Sequence, residues 1–132
     1  MLFVCIGNTC RSPMAEAIAR GLGGDRVVVH SAGLAPTGRI SSGTVEALRS
    51  LGYDPRGLRS KGLEEVPLAE MDVVVSLIGG QGLLFIPPHL GSRRISWAIP
   101  DPYGEELSTF LAVARDLERR IGALLAELTG HP

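Results

Sequence analysis

The chain is built around one segment near its start, Val4-Cys5-Ile6-Gly7-Asn8-Thr9-Cys10-Arg11-Ser12-Pro13. The apolar run that precedes it, residues 2–4, is typical of a short buried strand. Apolar residues after it recur at helical spacing: Met14, Ile18 and Leu22. Proline at the first position of a helix costs no hydrogen bond, so we expect the helix to begin at Pro13. Residues 5–12 are therefore predicted to form a loop between a strand and a helix.

This loop has the composition of an anion-binding site. Its backbone N–H groups can converge at the positive end of a helix dipole, an arrangement that suits phosphate. Gly7 and Asn8 tolerate the left-handed backbone that such a loop needs. Arg11 offers a planar fork that matches two phosphate oxygens. Cys5 lies at the floor of the positive field, where the reactive thiolate is favoured, and Ser12 can donate a hydrogen bond to that thiolate.

The same segment resembles the phosphate loop of the low-molecular-weight protein-tyrosine-phosphatase family. Members of that family are small cysteine-dependent phosphatases of about this length. The resemblance implies that Cys5 is the nucleophile and that the rest of the loop binds the substrate through Ile6, Gly7, Asn8, Thr9, Cys10 and Ser12. It also implies that Ser31, in Ser31-Ala32-Gly33, holds Asn8 in place.

A second motif, Asp101-Pro102-Tyr103-Gly104, follows the fourth predicted strand. The flanking prolines hold Asp101 on a stiff, extended turn and keep it out of the helix that follows. The motif is similar to the acid loop of the same phosphatase family. The resemblance implies that Asp101 is the general acid and base, that Tyr103 contacts the substrate at the rim, and that Cys5, Arg11 and Asp101 are the catalytic residues.

Hydrophobic patterning predicts the fold. Strands are expected at residues 2–4, 27–32, 71–76 and 94–99. Helices are expected from Pro13, from a cap at Ser41 or Ser42 to Leu51, and from Leu107 to Leu128 with Gly130 as C-cap. Residues 78–92 are expected to form a loop with one helical turn. The alternation predicts a single three-layer α/β domain over residues 1–132, a flavodoxin-like four-stranded parallel sheet with helices on both faces.

Composition narrows the class of protein. The 132 residues can form a core without metal or disulfide support, and a formal net charge of −1 argues against a nucleic-acid partner. No leader and no apolar run of membrane-spanning length are expected. Both cysteines lie in the one loop, so no disulfide framework is predicted and the chain is expected to be cytoplasmic. We expect no metal or cofactor; the expected partners are a phosphorylated protein and a phosphate or other oxyanion in the loop.

Thr9 bears on the choice of substrate. Family members that act on phosphotyrosine commonly have isoleucine here, whereas Gly7-Asn8-Thr9-Cys10-Arg11-Ser12-Pro13-Met14-Ala15-Glu16 resembles the protein-arginine-phosphatase branch. A hydroxyl can accept a hydrogen bond from a guanidinium, and isoleucine cannot. The loop after Gly33 also lacks an aromatic wall. These features favour phosphoarginine, with phosphotyrosine as the other substrate.

Two other functions are compatible with the fold. An arsenate reductase of the same fold would use Cys5 on arsenate, but the thioredoxin-coupled type needs two cysteines outside the loop, which the sequence lacks. An arsenate reductase that relies on an external thiol is still compatible with the sequence. A phospho-binding module would be expected to lack the nucleophile or the acid. Whether Cys5 and Cys10 form a regulatory disulfide is not decided by the sequence.

Overall fold

The computed structural model describes residues 1–130, so the last two residues of the predicted 1–132 domain lie outside the described part. The main elements are β1 (Leu2–Cys5), α1 (Arg11–Gly23), β2 (His30–Gly33), α2 (Ser42–Ser50), β3 (Val73–Ser76), β4 (Arg93–Ser96) and α3 (Leu107–Thr129). Short 3₁₀ helices lie at Gly24–Arg26, Leu63–Glu65, Leu68–Glu70 and Gly80–Phe85.

The four strands form one parallel sheet in the order β2-β1-β3-β4. Leu2 of β1 pairs with His30 on one side and with Val74 on the other, and Val74 pairs with Arg94. All four carboxyl ends therefore meet at one edge. The predicted α/β domain with a four-stranded parallel sheet is confirmed.

The two faces of the sheet are covered differently. Alternate strand residues such as Phe3 and Val75 pack against α1, α2 and α3, through side chains that include Met14, Ile18, Leu48, Leu117 and Ile121. Their neighbours Leu2, Val4 and Val74 face the other way, toward Val66, Met71 and Ile86 in the segments with the 3₁₀ helices. Burial on both faces explains why the two central strands, β1 and β3, are apolar without alternation up to Ser76. The helices predicted on both faces are thus α-helices on one and short 3₁₀ helices on the other.

Several predicted boundaries differ from the structure; β3, for example, begins at Val73 and not at residue 71. Helix α1 begins at Arg11, two residues before Pro13, which is allowed because the first N–H groups of a helix have no partner inside it. Residues 27–29 are not in β2, since β1 begins at Leu2 and its ladder with β2 begins at His30; the Met1 amine donates to Val28 O over 2.9 Å, and Val28 is 72% exposed. Strand β4 ends at Ser96 because the chain then turns into an antiparallel bridge between Ala98 and Ile78.

Other predicted details hold. Ser41 is the N-cap of α2, and its hydroxyl accepts a hydrogen bond from Thr44 N over 3.3 Å. Gly130 caps α3 in the left-handed conformation, with φ of 73°. The single turn predicted in residues 78–92, however, is too short: the structure has a six-residue 3₁₀ helix there, which is about two turns. Within residues 1–130, no helix is long and apolar enough to cross a membrane.

Candidate active site

A cleft of about 210 Å³ opens at the carboxyl edge of the sheet, where β1 ends at Cys5. It is lined by Cys5, Ile6, Gly7, Thr9, Cys10, Arg11, Ala35, Thr37, Asp101 and Tyr103. The structure thus brings together the two sequence motifs, which are about ninety residues apart in the chain. Asn8 and Ser12, the other predicted site residues, are fully buried beneath the cleft.

The loop between β1 and α1 turns at Asn8, the only residue other than glycine with a positive φ (48°) among those described. Gly7 does not share this conformation, contrary to the prediction, and its reason is space: a Cβ there would lie 3.2 Å from Thr37 Cγ2. Gly33 of β2 is also required by space, since a Cβ would meet Ile6 O at 2.7 Å. The loop therefore packs directly on backbone.

The carbonyl groups of the loop point away from the cleft. Cys5 O, Ile6 O and Gly7 O accept hydrogen bonds from the backbone N–H groups of Leu34 (3.1 Å), Ala35 (2.8 Å) and Thr37 (3.1 Å). In a planar trans peptide the next N–H points opposite to the carbonyl. The loop N–H groups consequently face the cleft, next to the N-terminus of α1. This arrangement can bind an oxyanion.

Cys5 is buried, and its sulfur has one side-chain hydrogen-bond partner in the described structure. Cys5 Sγ lies 2.9 Å from Ser12 Oγ, on the first turn of α1. The predicted pairing of Ser12 with the Cys5 thiol is therefore present. A thiol here lies at the floor of the cleft, directly below the inward-facing N–H groups.

A buried network holds Asn8. Its Nδ2 donates to Ser12 Oγ (2.7 Å) and to Ser31 Oγ (3.0 Å), and its Oδ1 accepts from Lys61 N (2.9 Å). The contact expected between Ser31 and Asn8 is thus present. Ser31 in turn donates to the carboxylate of Glu16 over 2.5 Å.

Glu16 is 2% exposed and supplies the negative charge of this network. Its Oε1 lies 3.5 Å from Lys61 Nζ and its Oε2 lies 2.6 Å from Arg20 Nη1. A buried carboxylate needs such partners, because an unpaired charge is costly to bury. A chain of contacts therefore runs from the Cys5 sulfur to a buried ion-pair cluster.

Arg11 links the phosphate loop to the Asp101 segment. Its Nη1 donates to Ile99 O over 3.1 Å, and its Nη2 lies 3.7 Å from Asp101 Oδ2. Asp101 Oδ1 accepts from Tyr103 N over 3.1 Å, which fixes the turn that follows. Arg11 is buried, whereas the Asp101 side chain is about half exposed. The carboxyl group can therefore reach both solvent and a ligand in the cleft.

Thr9 and Thr37 form one wall of the cleft. Thr9 Oγ1 donates to Gly7 O over 3.1 Å and forms a hydrogen bond with Thr37 Oγ1. Ser60 Oγ also donates to Gly7 O, over 3.0 Å, and accepts from Gly38 N over 3.1 Å. Thr9 and Ser60 thus donate to the same carbonyl group of the phosphate loop, that of Gly7.

Cys10 is the N-cap residue of α1 and is buried. Its sulfur lies 3.2 Å from Ser41 Oγ, and neither Cys10 nor Cys5 is in a disulfide. Burial raises the pKa of the Cys10 thiol, and the hydrogen bonds with Ser41 and Thr44 only partly oppose this. Cys10 therefore stays a thiol at neutral pH.

Sequence reasoning missed Glu16, Thr37, Ser60 and Lys61. Two of them carried a usable signal: Glu16 is a lone acid in the apolar stretch 14–19, and Lys61 is the single lysine of the chain. Thr37 and Ser60 lie in irregular segments, where no periodicity points to a site. In the described part of the chain, no three His, Cys, Asp or Glu side chains are placed to hold a metal ion.

Comparison with protein families matches residues 1–131 to the low molecular weight phosphotyrosine protein phosphatase family. The chain belongs to this family. The resemblance seen in the phosphate loop is thereby confirmed.

Similar members of the low molecular weight phosphatase family carry different names. A glutaredoxin arsenate reductase from Synechocystis sp. is 33% identical over 132 residues, 98% of each chain. The structure of a low molecular weight protein tyrosine phosphatase from T. tengcongensis matches with a TM-score of 0.84 and 31% identity, over 96% of this chain and 97% of that one. YwlE arginine phosphatase from Geobacillus stearothermophilus matches with a TM-score of 0.87 and 27% identity, over 98% and 92%.

Proposed function

We propose that this protein is a cysteine-dependent phosphatase that removes phosphate from protein side chains, with phosphoarginine favoured over phosphotyrosine. Residues 1–132 act as one phosphatase domain. The observation that supports this is the shared cleft of Cys5, Arg11 and Asp101, lined by inward-facing loop N–H groups.

The first step transfers phosphate to the enzyme. The loop N–H groups and Arg11 hold the equatorial oxygens of the phosphoryl group and stabilise their charge. The Cys5 thiolate attacks phosphorus as the bond to the substrate nitrogen or oxygen breaks. Asp101 gives its proton to that leaving atom, which releases the dephosphorylated side chain and leaves phosphocysteine.

The second step frees the enzyme. The Asp101 carboxylate takes a proton from a water molecule, whose oxygen bonds to phosphorus. The S–P bond breaks, and inorganic phosphate and the Cys5 thiolate are released. The Ser12 hydroxyl is placed to stabilise the returning thiolate at 2.9 Å. The scheme uses no cofactor.

The rim of the cleft supports an organic phosphate ester or amide as the substrate. Ile6 and Tyr103 line the cleft and are 52% and 64% exposed, so both offer apolar surface to a substrate side chain. The same cleft is also lined by Thr9 and Thr37, which carry hydroxyl groups. Hydroxyl oxygens accept hydrogen bonds from a guanidinium, which a phenyl ring cannot supply. This polarity favours phosphoarginine.

Arsenate reduction is the second candidate, because a relative of 33% identity is named a glutaredoxin arsenate reductase. Cys5 would displace an arsenate oxygen, and two thiols would supply the two electrons: arsenate and two thiols give arsenite, one disulfide and water. The sequence contains two cysteines, both in the phosphate loop. Because the sequence has no cysteine outside the loop to relay a disulfide, the proposed reducing thiols are external, such as glutathione with glutaredoxin.

A side-by-side rate measurement tests the proposal. Wild-type protein is given a phosphoarginine peptide, a phosphotyrosine peptide, or arsenate with reduced glutathione and glutaredoxin. We expect phosphate release from both peptides, faster from phosphoarginine, and none with Cys5→Ser. That variant should still bind phosphate or vanadate, since the loop N–H groups and Arg11 remain. Arsenite production without phosphate release would establish the reductase, and phosphate binding without any turnover would establish a binding module.

A further inference from the structure

We propose that Thr37 is a specificity-determining residue, which together with Thr9 accepts hydrogen bonds from the guanidinium of a phosphorylated arginine. This inference rests on the proposed phosphatase function and goes beyond it by assigning a residue outside the phosphate loop. Thr37 lies on the segment after β2, lines the same cleft as Cys5 and Asp101, and is exposed at its mouth.

The backbone of Thr37 is held by the phosphate loop itself. Its N–H donates to Gly7 O over 3.1 Å, and the same carbonyl accepts from Ser60 Oγ over 3.0 Å. Ser60 also receives the N–H of the next residue, Gly38, over 3.1 Å. The position of the Thr37 hydroxyl relative to the bound phosphoryl group is therefore fixed before a substrate arrives.

The two hydroxyl groups have no hydrogen left for a ligand. Two threonine hydroxyls carry two hydrogens, and one of them lies in the bond between Thr9 Oγ1 and Thr37 Oγ1. If Thr37 is the donor of that bond, the Thr9 hydrogen goes to Gly7 O at 3.1 Å. If Thr9 is the donor, the Thr37 hydrogen goes to Arg39 O at 3.2 Å. In both arrangements each hydrogen has an acceptor within the protein.

Lone pairs, by contrast, remain available. Of the four on the two oxygens, one is used by the bond between the hydroxyls and one by Arg39 N, 3.4 Å from Thr37 Oγ1. When Thr37 donates to Thr9, one lone pair stays free on each oxygen; when Thr9 donates, both free lone pairs are on Thr9. The acceptor pair of this proposal is the first arrangement, in which the Thr9 hydrogen lies on Gly7 O. The wall therefore accepts hydrogen bonds and donates none, which suits the several N–H groups of a guanidinium. A phenyl ring has none to offer, so a phosphotyrosine gains nothing from this wall.

Thr37→Val tests the inference, because valine keeps the shape of threonine and removes the oxygen. The measurement is kcat/KM on a phosphoarginine peptide and on a phosphotyrosine peptide of the same sequence. We expect the ratio of the two values to fall about ten- to a hundredfold, the worth of one hydrogen bond to a charged group. Thr37→Ser should restore the ratio. Thr129→Val, a matched change at the far end of α3, should leave both activities as they are.

The combined variant Thr9→Val/Thr37→Val gives a second test. Because the two hydroxyls act as one acceptor pair, the double substitution should cost less than the product of the single losses. Active wild type on phosphoarginine with an unchanged ratio in Thr37→Val would overturn the inference and leave the phosphatase proposal intact. A wild type that releases phosphate from phosphotyrosine alone would overturn the inference and the preference for arginine but leave the protein a phosphatase. Release from neither peptide would overturn both proposals.

Discussion

Asn8 donates its side-chain N–H to Ser12 Oγ over 2.7 Å, and this contact determines where the Ser12 proton goes. The amide cannot be flipped, because its oxygen accepts from Lys61 N over 2.9 Å. Since Ser12 Oγ accepts from Asn8, its own hydrogen is free for Cys5 Sγ, 2.9 Å away. Ser12 is therefore the donor of the hydrogen bond to the Cys5 sulfur.

The ion-pair cluster behind Asn8 should dominate the stability of the loop. Glu16→Gln leaves the Lys61 ammonium buried without a carboxylate, and we expect it to lower the free energy of unfolding by about 3–5 kcal/mol. Lys61→Met should cost less, because Arg20 still pairs with Glu16 at 2.6 Å and the Lys61 backbone bond to Asn8 is kept. Chemical denaturation measures both.

The matched control is the exposed pair of Arg56 and Asp54. Arg56→Met should leave the unfolding midpoint unchanged, as is usual for surface ion pairs. The combined Glu16→Gln/Lys61→Met variant should be more stable than the sum of the single losses predicts. Equal effects of Glu16→Gln and Arg56→Met would contradict the role given to the cluster.

Asp101→Asn tests the proton transfer with little change of structure, since the amide oxygen can still accept from Tyr103 N. We expect kcat to fall by roughly 10²–10⁴, the usual contribution of a general acid. The loss should shrink for aryl phosphates whose leaving group needs no proton. Rates for a series of such esters measure this dependence. An equal loss across the series would mean that Asp101 positions the loop and transfers no proton.

Peroxide should inactivate the protein reversibly through Cys5 and Cys10, which line the same cleft. Peroxide converts the Cys5 thiolate to sulfenic acid, and Cys10 then displaces water to form a disulfide. Because burial raises the pKa of Cys10, this second step should become faster as the pH rises above neutral. Mass spectrometry before and after dithiothreitol follows it.

Cys10→Ser is the control for this reaction and should be over-oxidised at Cys5 without recovery. Sulfinic acid at Cys5 of the wild type, with Cys10 still a free thiol, would rule out the protective role.

Thr9→Ile should shift the substrate preference from phosphoarginine toward phosphotyrosine. Thr9 is 5% exposed, so its oxygen is an acceptor in a largely desolvated wall. Leaving a buried polar group unpaired costs about 1–3 kcal/mol, and the extra methylene of isoleucine contributes about 0.8 kcal/mol to apolar contact. The ratio of kcat/KM values should therefore change by roughly one to two orders of magnitude.

Thr9→Val separates the two causes of that shift, because it removes the oxygen and adds no methylene. We expect it to lose phosphoarginine activity without gaining phosphotyrosine activity. A wild type that strongly prefers phosphotyrosine, with the same ratio in Thr9→Ile, would refute the selection of arginine by this threonine.

Features of the fold that are determined by residues close together in the sequence could be predicted from it. The strand end at Cys5 and the helix start near Arg11 have local signatures, and the parallel sheet brings them to one edge with the proline-flanked turn of Asp101. The turn alone does not mark a site, and Asp101 was predicted as one from the resemblance of its motif to the acid loop of the family. The limits of β2 depended instead on where β1 begins, which hydrophobic pattern cannot show. Thr37 and Lys61 reach the loop from 28 and 53 residues away through hydrogen bonds, and nothing near them in the chain marks that contact.

Because Lys61 is buried, the rate at which its amine is covalently labelled reports how often the structure around it opens. Lys61 is the sole lysine, and its amine is enclosed by Glu16 and Ser31. An amine-acylating reagent can modify this side chain only during excursions in which the support under the loop opens. The labelling rate of the peptide that contains Lys61 thus reads the frequency of opening at one known place. An oxyanion that binds only the closed loop should slow that rate progressively as its occupancy rises in a titration.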